Sequence, residues 1–462
     1  MRLILAALVG LLVSVAPRAQ ATDPLPTALQ QIRATSGVPA VGGVLFTSTS
    51  IGVEAVAGVR KQGDVTAVAT GDLWHIGSLT KSFTSTLLGT FVEKGDLQWT
   101  STLGEVLGAE RARKFAPVTL AQVLSHRAGL AANPTNAEMV TALQSKESLP
   151  TQRRVVIDKA LSAEPLSAPG ATFLYSNLDY ILIGRILEAK SGRSWEDLVR
   201  AEVLAPLKLT SAGFGAPGTA GTLSQPRGHR AQGTTLVPIE LGPFADNPPM
   251  LGPAGTLHMS VADLARWGQE HLRGERGVDG LLKAATYQTI HTPPVAGADY
   301  AFGWVVQQWN GRRVVWHNGS NTMWYAVVAF DAAADRGVVL VTNGSINART
   351  AIDAAARDLL AASPTITAPA PAVPAGAVYS MDRSHVAYLA NGSTPAMSSR
   401  VDIHVRRLAD GVDRRVATFD GVVNALTFSL DGTRLLFKTA YVDERTRDCE
   451  VSIDGRGAVN CR

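Results

Sequence analysis

Apolar positions along the chain follow two different periods. Between residues 38 and 62, and again between 300 and 344, they fall in short β-branched runs: "VPAVGGVLFTSTS", "GVEAVAGVRKQG", "YAFGWVVQQWNG", "RRVVWHNGS", "MWYAVVAFDAA" and "RGVVLVTNG". Such runs read as strands. From about residue 100 to 290 the pattern is mainly helical with long Gly/Pro loops, most clearly in "YILIGRILEAKSG" and "SVADLARWGQEHLRG". Helices are also predicted for "PLPTALQQIRATSG", for residues 79 to 95, and for "ARTAIDAAARDLLAA". The order is strands, a helical middle, then strands and a helix. Unpaired strand edges are unfavourable, so the early and late strands are expected to share one antiparallel sheet. The predicted class is α/β of the α+β kind: a sheet flanked by helices plus a mainly helical lobe, with a cleft between lobes where sites commonly lie.

The two ends depart from this pattern. "MRLILAALVGLLVSVAPRAQA" has one early positive residue, an apolar run too short to span a membrane, and the small-x-small ending Ala19-Gln20-Ala21. It reads as a signal peptide over residues 1–21. No later stretch approaches about 18 uninterrupted apolar residues, so no membrane span is expected in the mature chain, which should be periplasmic or extracellular. A single large domain then fills 22–362, and "SPTITAPAPAVPAGA" (363–377) reads as a semi-rigid linker. The remaining residues, 378–462, have β character, and two stretches in them look alike: "YSMDRSHVAYLANG" and "FSLDGTRLLFKTA". They weakly resemble the repeat of TolB-type β-propellers, although two repeats cannot close a propeller. This small all-β module is a candidate recruiter of a cell-wall polymer or a protein partner.

Composition changes the picture little. The chain of 462 residues is 46% hydrophobic and 18% charged with a formal net charge of +4, and no dense basic stretch points to nucleic acid. Its only cysteines, Cys449 and Cys461, can either pair in an oxidising compartment or stay as two free thiols. Neither alternative suggests a metal site, and no phosphate-cradling loop is visible, so no cofactor is expected.

Three short motifs carry candidate chemistry. In "HIGSLTKSFTS", Ser78 and Lys81 are three apart. If a helix begins at Ser78, both side chains share one face, with the serine beside free N–H groups at a positively polarised helix end. A buried lysine loses pKa and can act as a base. The alternative is an N-cap serine with a solvated lysine. In "PGATFLYSNLDYILIG", Tyr175 and Asn177 precede an apolar helix; they offer a proton relay and an amide-binding group, or a packed ring and a cap. In "VVWHNGSNTMWYA", His317-Asn318-Gly319 sit on a strand edge that could bind an extended substrate, or form an Asn-Gly turn between strands. His317 would supply a donor or a switchable positive charge.

Each motif is ambiguous alone, whereas their order and spacing are not. Ser78-Leu79-Thr80-Lys81, Tyr175-Ser176-Asn177 and His317-Asn318-Gly319, with framework stretches such as "LAQVLSHRAGL", "LAPLKL" and "PAGTLHMSVADLARWG", resemble the serine β-lactamase and penicillin-binding protein superfamily. The likeness covers about residues 25 to 360 and points to the class C β-lactamase, DD-carboxypeptidase and family VIII esterase branch. It implies an acyl-enzyme mechanism: Ser78 as nucleophile, Lys81 and Tyr175 sharing general-base work, and the backbone N–H groups of Ser78 and Ser320 as the oxyanion hole. It further implies that Asn177, His317, Asn318 and Gly319 bind substrate. Histidine replaces the lysine of the commoner K-T-G, and a neutral imidazole attracts a carboxylate less than an ammonium does.

The expectation is therefore an exported serine hydrolase that cleaves a small ester or a D-amino-acid-containing peptide. The alternatives are a true β-lactamase and a catalytically silent wall-binding or sensing protein; intact Ser78, Lys81 and Tyr175 weigh against silence. His126 and His75 read as framework histidines, and Asp179 and Asp263 as helix-stabilising carboxylates.

Overall fold

The computed structural model describes residues 23–233, 235–362, 377–380, 384–391, 400–407, 413–420, 422–440, 446–454 and 458–462. The expected leader and nearly all of the expected linker lie outside these residues. The chain divides into two compact units, Met1–Thr367 and Ala368–Arg462.

The first unit is built on a six-stranded antiparallel sheet. Its order is Ala55–Gly58, Ala40–Phe46, Arg336–Thr342, Tyr325–Asp331, Arg312–Ser320, Val305–Trp309. The early strand Ala40–Phe46 lies against the late strand Arg336–Thr342, from Val41 opposite Thr342 to Phe46 opposite Gly337. Alternate residues serve opposite faces. Val41, Leu45, Val327 and Leu340 pack beneath the terminal helices Pro24–Ser36 and Ser345–Ala362 through Leu29 and Ile352. Val44, Phe46, Val328 and Val339 face the other way, toward the helix Val261–Glu275 and its Trp267. Both faces are covered, which is why these strands read as continuous apolar runs rather than alternating ones.

The helical lobe centres on Thr80–Glu93, whose residues 80 to 91 are all buried despite five serines and threonines among the first seven. Ser82, Ser85 and Thr90 each donate to the carbonyl three residues back, at 2.7, 2.9 and 2.8 Å, while Thr80, Thr84 and Thr86 bond to Leu257, Pro253 and His271 across the lobe. Such back-bonding lets a polar helix be buried without stranded donors. Phe83 stacks on Trp267 with ring centroids 3.8 Å apart. The lobe also contains elements the apolar pattern does not reveal. A three-stranded sheet joins Leu73–His75, Leu257–Ser260 and Gly213–Phe214, and a hairpin joins His229–Gln232 to Thr235–Pro238. These strands are two to four residues long, too short to establish a period.

The second unit contains two four-stranded antiparallel sheets, Val378–Tyr379 through Asp413–Asp420 and Val422–Phe428 through Asn460–Cys461. The two look-alike stretches open one sheet each and make the same pair of hydrogen bonds from their serines. Ser380 N–H donates to His385 O at 3.0 Å while its hydroxyl accepts His385 N–H at 2.9 Å. Ser429 and Arg434 repeat this at 2.9 and 3.0 Å. Cys449 and Cys461 are opposite one another on adjacent strands and are disulfide-bonded.

Candidate active site

The chain reaches Ser78 through a 3₁₀ turn, Gly77–Leu79, that leads directly into Thr80–Glu93. Ile76 N–H donates to Leu257 O at 2.9 Å and fixes the entry. Ser78 is half-buried; Lys81, one turn on, is fully buried. Its Nζ donates to Ser78 Oγ at 3.1 Å, to Asn177 Oδ1 at 2.7 Å and to Ala254 O at 2.8 Å. Burial lowers the lysine to about 7. The solvated-lysine alternative is thereby removed.

Tyr175 follows from the other side. The helix Asn177–Ser191 begins with Ser176 as its cap, whose Oγ accepts Asp179 N–H at 3.2 Å and donates to Ala131 O at 2.6 Å. That cap throws the preceding Tyr175 over Lys81, with Nζ 4.9 Å from the ring centroid. The residue is 38% exposed as a whole. Its hydroxyl nonetheless hydrogen-bonds Ser78, and desolvation there pushes the phenol well above its ordinary range. Asn177 also donates from Nδ2 to Asn133 Oδ1 at 2.6 Å, so its amide spans between Lys81 and the 131–133 loop.

The third motif closes the site. Arg312–Ser320 pairs with Val305–Trp309 only as far as Trp316, so residues 317–320 are a local edge within the sheet. That edge meets the Gly77–Leu79 turn. A Cβ on Gly319 would strike the Ile76 carbonyl and lie 2.6 Å from Ser78 N; one on Gly77, at φ 52°, would strike Ser320 N. Glycine at both positions brings the two backbones together. The chain reversal comes at Asn321–Trp324, not at Asn318-Gly319, so the turn alternative fails. The side chain of Asn318 bonds the Tyr325 hydroxyl.

His317 departs from expectation. It is 3% exposed, its Nδ1 is engaged by the Asn318 carbonyl, and its Nε2 lies 3.0 Å from the Tyr300 hydroxyl. Desolvation first, then the nearby Lys81 charge, lower it to about 3. It is a neutral imidazole, not a switchable positive charge.

Around these groups lies a cleft of about 690 Å³ whose wall includes Phe173, Tyr175, Tyr300, Trp316 and Arg349. Sequence reasoning missed Tyr300, Trp316 and Arg349, which carry no motif. His126 and Asp179, read as framework, form a buried pair, Nδ1 to Oδ2 at 2.9 Å, beside Tyr175 and Lys81. Among the described residues no group of three His, Cys, Asp or Glu is placed to hold a metal ion.

A model of the Beta-lactamase family matches residues 27–363. The chain belongs to the beta-lactamase family. Members of this beta-lactamase family are serine hydrolases, and so is this chain. It is 26% identical over 311 residues to penicillin-binding protein 4 of Amycolatopsis lactamdurans, covering 63% of this chain and 78% of that one. It is 23% identical over 268 residues to an unguisins hydrolase of Aspergillus campestris, covering 55% and 49%. The octameric penicillin-binding protein homologue of Pyrococcus abyssi shares the fold with a TM-score of 0.62 at 18% identity, covering 92% of this chain and 95% of that one. The class C beta-lactamase of Rhodobacter sphaeroides does so at 0.58 and 18%, covering 73% and 98%. A D-stereospecific amidohydrolase from Streptomyces matches at 0.56 and 20%, covering 71% and 98%.

Proposed function

We propose that this beta-lactamase-family protein is an exported serine hydrolase that cleaves a small ester or a D-amino-acid-containing peptide through a covalent acyl-enzyme on Ser78. The observation that carries the reading is the fully buried Lys81 amine, lowered to about 7, at 3.1 Å from Ser78 Oγ.

In the scheme, Ser78 Oγ attacks the substrate carbonyl carbon and its proton passes to neutral Lys81. Lys81 rather than Tyr175 is the proton acceptor, because burial makes the phenol a poorer base precursor at neutral pH. Tyr175 relays the proton: it gives its own to the departing alkoxide or amine and takes one from Lys81. The developing oxyanion lies between the N–H groups of Ser78 and Ser320, and Asn177 holds the substrate amide or ester side. A water then attacks the acyl carbon and gives its proton to the same relay, which returns a proton to Ser78 Oγ as the C–O bond breaks and the acid departs.

The walls bear on substrate choice. Phe173, Tyr300 and Trp316 favour an apolar acyl side chain, and Arg349 in the same wall favours a carboxylate. A histidine held neutral by burial at position 317, where an ammonium is commoner, weighs against a dedicated β-lactam role. The test offers the purified protein p-nitrophenyl esters, a chromogenic cephalosporin and a D-Ala-D-Ala peptide, beside Ser78→Ala. Ester cleavage lost in the variant is expected. No cleavage of any of the three and no covalent adduct would favour the sensing alternative.

A further inference from the structure

The turn that enters Ser78 and the turn that leaves Ser320 are both tied to a segment the reaction scheme does not use. Asp246 lies between Thr235–Pro238 and Pro249–Leu251, with its side chain nine-tenths buried. Its Oδ1 accepts from Asn321 Nδ2 at 2.9 Å. The same oxygen is 2.8 Å from His75 Nε2, in a contact too bent for an aligned hydrogen bond. His75 accepts Gly77 N–H on Nδ1 at 3.1 Å, so in the neutral ring the proton sits on Nε2, toward the carboxylate. On the other side Asn321 Oδ1 accepts Met323 N–H and Trp324 N–H, both at 3.2 Å, and so holds the reversal after Ser320. One residue along, Asn247 Nδ2 donates to Gly255 O at 2.9 Å, next to the Ala254 carbonyl that holds Lys81.

The contacts form one path, from Gly77 through His75, Asp246 and Asn321 to Trp324, and it spans both Ser78 and Ser320. The two backbones meet through glycines with no room for a Cβ. A small slide of one past the other would therefore move both N–H groups relative to the reacting carbonyl, and an oxyanion hole works only with donors about 2.7–3.1 Å from the oxygen. A buried carboxylate hydrogen-bonded to Asn321 and in close polar contact with His75 resists that slide.

We propose that His75, Asp246 and Asn321 form a positioning bridge that sets the separation of the Ser78 and Ser320 backbone N–H groups, and with it how strongly the site holds the oxyanion. The bridge rests on the acyl-enzyme reading and deepens it. None of the three touches the reacting atoms; each acts through the backbone it holds.

The test uses the full chain with Asp246→Ala, Asp246→Asn and Asn321→Ala. The readouts are kcat and KM on a p-nitrophenyl ester, the affinity for phenylboronic acid, and the thermal midpoint. In the boronate adduct Ser78 Oγ adds to boron as its proton passes to Lys81, giving a tetrahedral anion in the oxyanion's place. Asp246→Ala is expected to lower kcat/KM by roughly tenfold to a hundredfold through kcat, less than outright loss of a donor, and to weaken boronate binding by a similar factor. Asp246→Asn keeps the Oδ1 acceptor and should recover most of both. The pH midpoint of kcat/KM should not move, since Lys81 keeps its partners. A folded Asp246→Ala with unchanged boronate affinity, a loss confined to KM, or an Asp246→Asn as damaged as the alanine variant would overturn the bridge. Should Asp246→Ala not fold, Asn321→Ala decides on the same readouts. A wild-type protein that neither turns over esters nor forms the boronate adduct sinks the acyl-enzyme reading and the bridge together; an active wild type with unaffected variants sinks the bridge alone.

Discussion

His126 Nδ1 lies 2.9 Å from Asp179 Oδ2 in a space from which water is excluded, and the same Nδ1 is 3.2 Å from the Ser176 N–H. Two acceptors cannot share a 2.9 Å contact without a proton between them. Burial raises the carboxyl well above its ordinary range and lowers the imidazole well below its own, so the proton stays on Asp179 and the pair is neutral. Asparagine, whose amide also donates, should replace the protonated acid closely. Asp179→Asn is expected to keep kcat/KM within about threefold of wild type and to leave the acidic limb of its pH profile in place. A limb displaced to lower pH would show instead that an ionised Asp179 had been holding the Lys81 proton.

The pH dependence of acylation follows from Lys81. Its neutral amine is the base, and burial brings the group down to about 7. Activity is therefore low below that value, where the amine is protonated, and rises as pH climbs through about 7. His317 contributes no limb between pH 5 and 8, because it is already neutral across that range. Measured kcat/KM on a neutral ester from pH 5 to 9 checks both statements, and Lys81→Arg should abolish the rise together with the activity.

Much of this arrangement was legible in the sequence. No single motif decides alone: Ser78 and Lys81 one helical turn apart, Tyr175 and Asn177 at a helix mouth and His317-Asn318-Gly319 on a late strand were legible by their order and by the family resemblance that order carries. The sheet followed from where the β-branched runs fall. What the sequence hid are contacts made by loop residues across long separations. Ala254 offers Lys81 only a backbone carbonyl, which any residue could supply. Asp246 lies in a stretch with no periodicity, and its partners, His75 and Asn321, stand far away along the chain. Whether His317 is a neutral donor or a switchable charge depends on burial that spacing does not encode.

Arg349 separates charge recognition from chemistry. It lines the cleft with a side chain 65% exposed, and its near neighbour Asp353 is 3.9 Å away. Arg349→Ala should raise KM several-fold for a substrate that carries a carboxylate and leave turnover of a neutral ester nearly unchanged. Equal effects on both substrates would remove the arginine from recognition.

Arg153 is a purely structural counterpart. Fully buried, it donates to Glu188 at 2.5 Å, to both carboxylate oxygens of Glu196, and to the carbonyls of Pro249 and Met250 at 3.1 and 3.0 Å. Removing one member of such a buried set leaves charges uncompensated at about 3–5 kcal/mol. Arg153→Ala should show that loss in denaturant unfolding. It should also lower activity, since the segment it holds runs on to Ala254.

The disulfide belongs to the second unit, and Ser78, Lys81 and Tyr175 to the first. Reducing Cys449–Cys461 opens a loop of 12 residues and should destabilise the second unit by about 3 kcal/mol. Ester turnover should survive, as it should in a chain ending at residue 377. Loss of turnover in a folded truncation would give the C-terminal unit a part in catalysis.

The most direct test of the central claim is intact-protein and peptide mass spectrometry after brief exposure to a slowly deacylated ester. The account predicts an added mass equal to the acyl group, located on Ser78 and absent from Ser78→Ala, which is also inactive. Full turnover by Ser78→Ala, with no acylated peptide in the wild type, would contradict it.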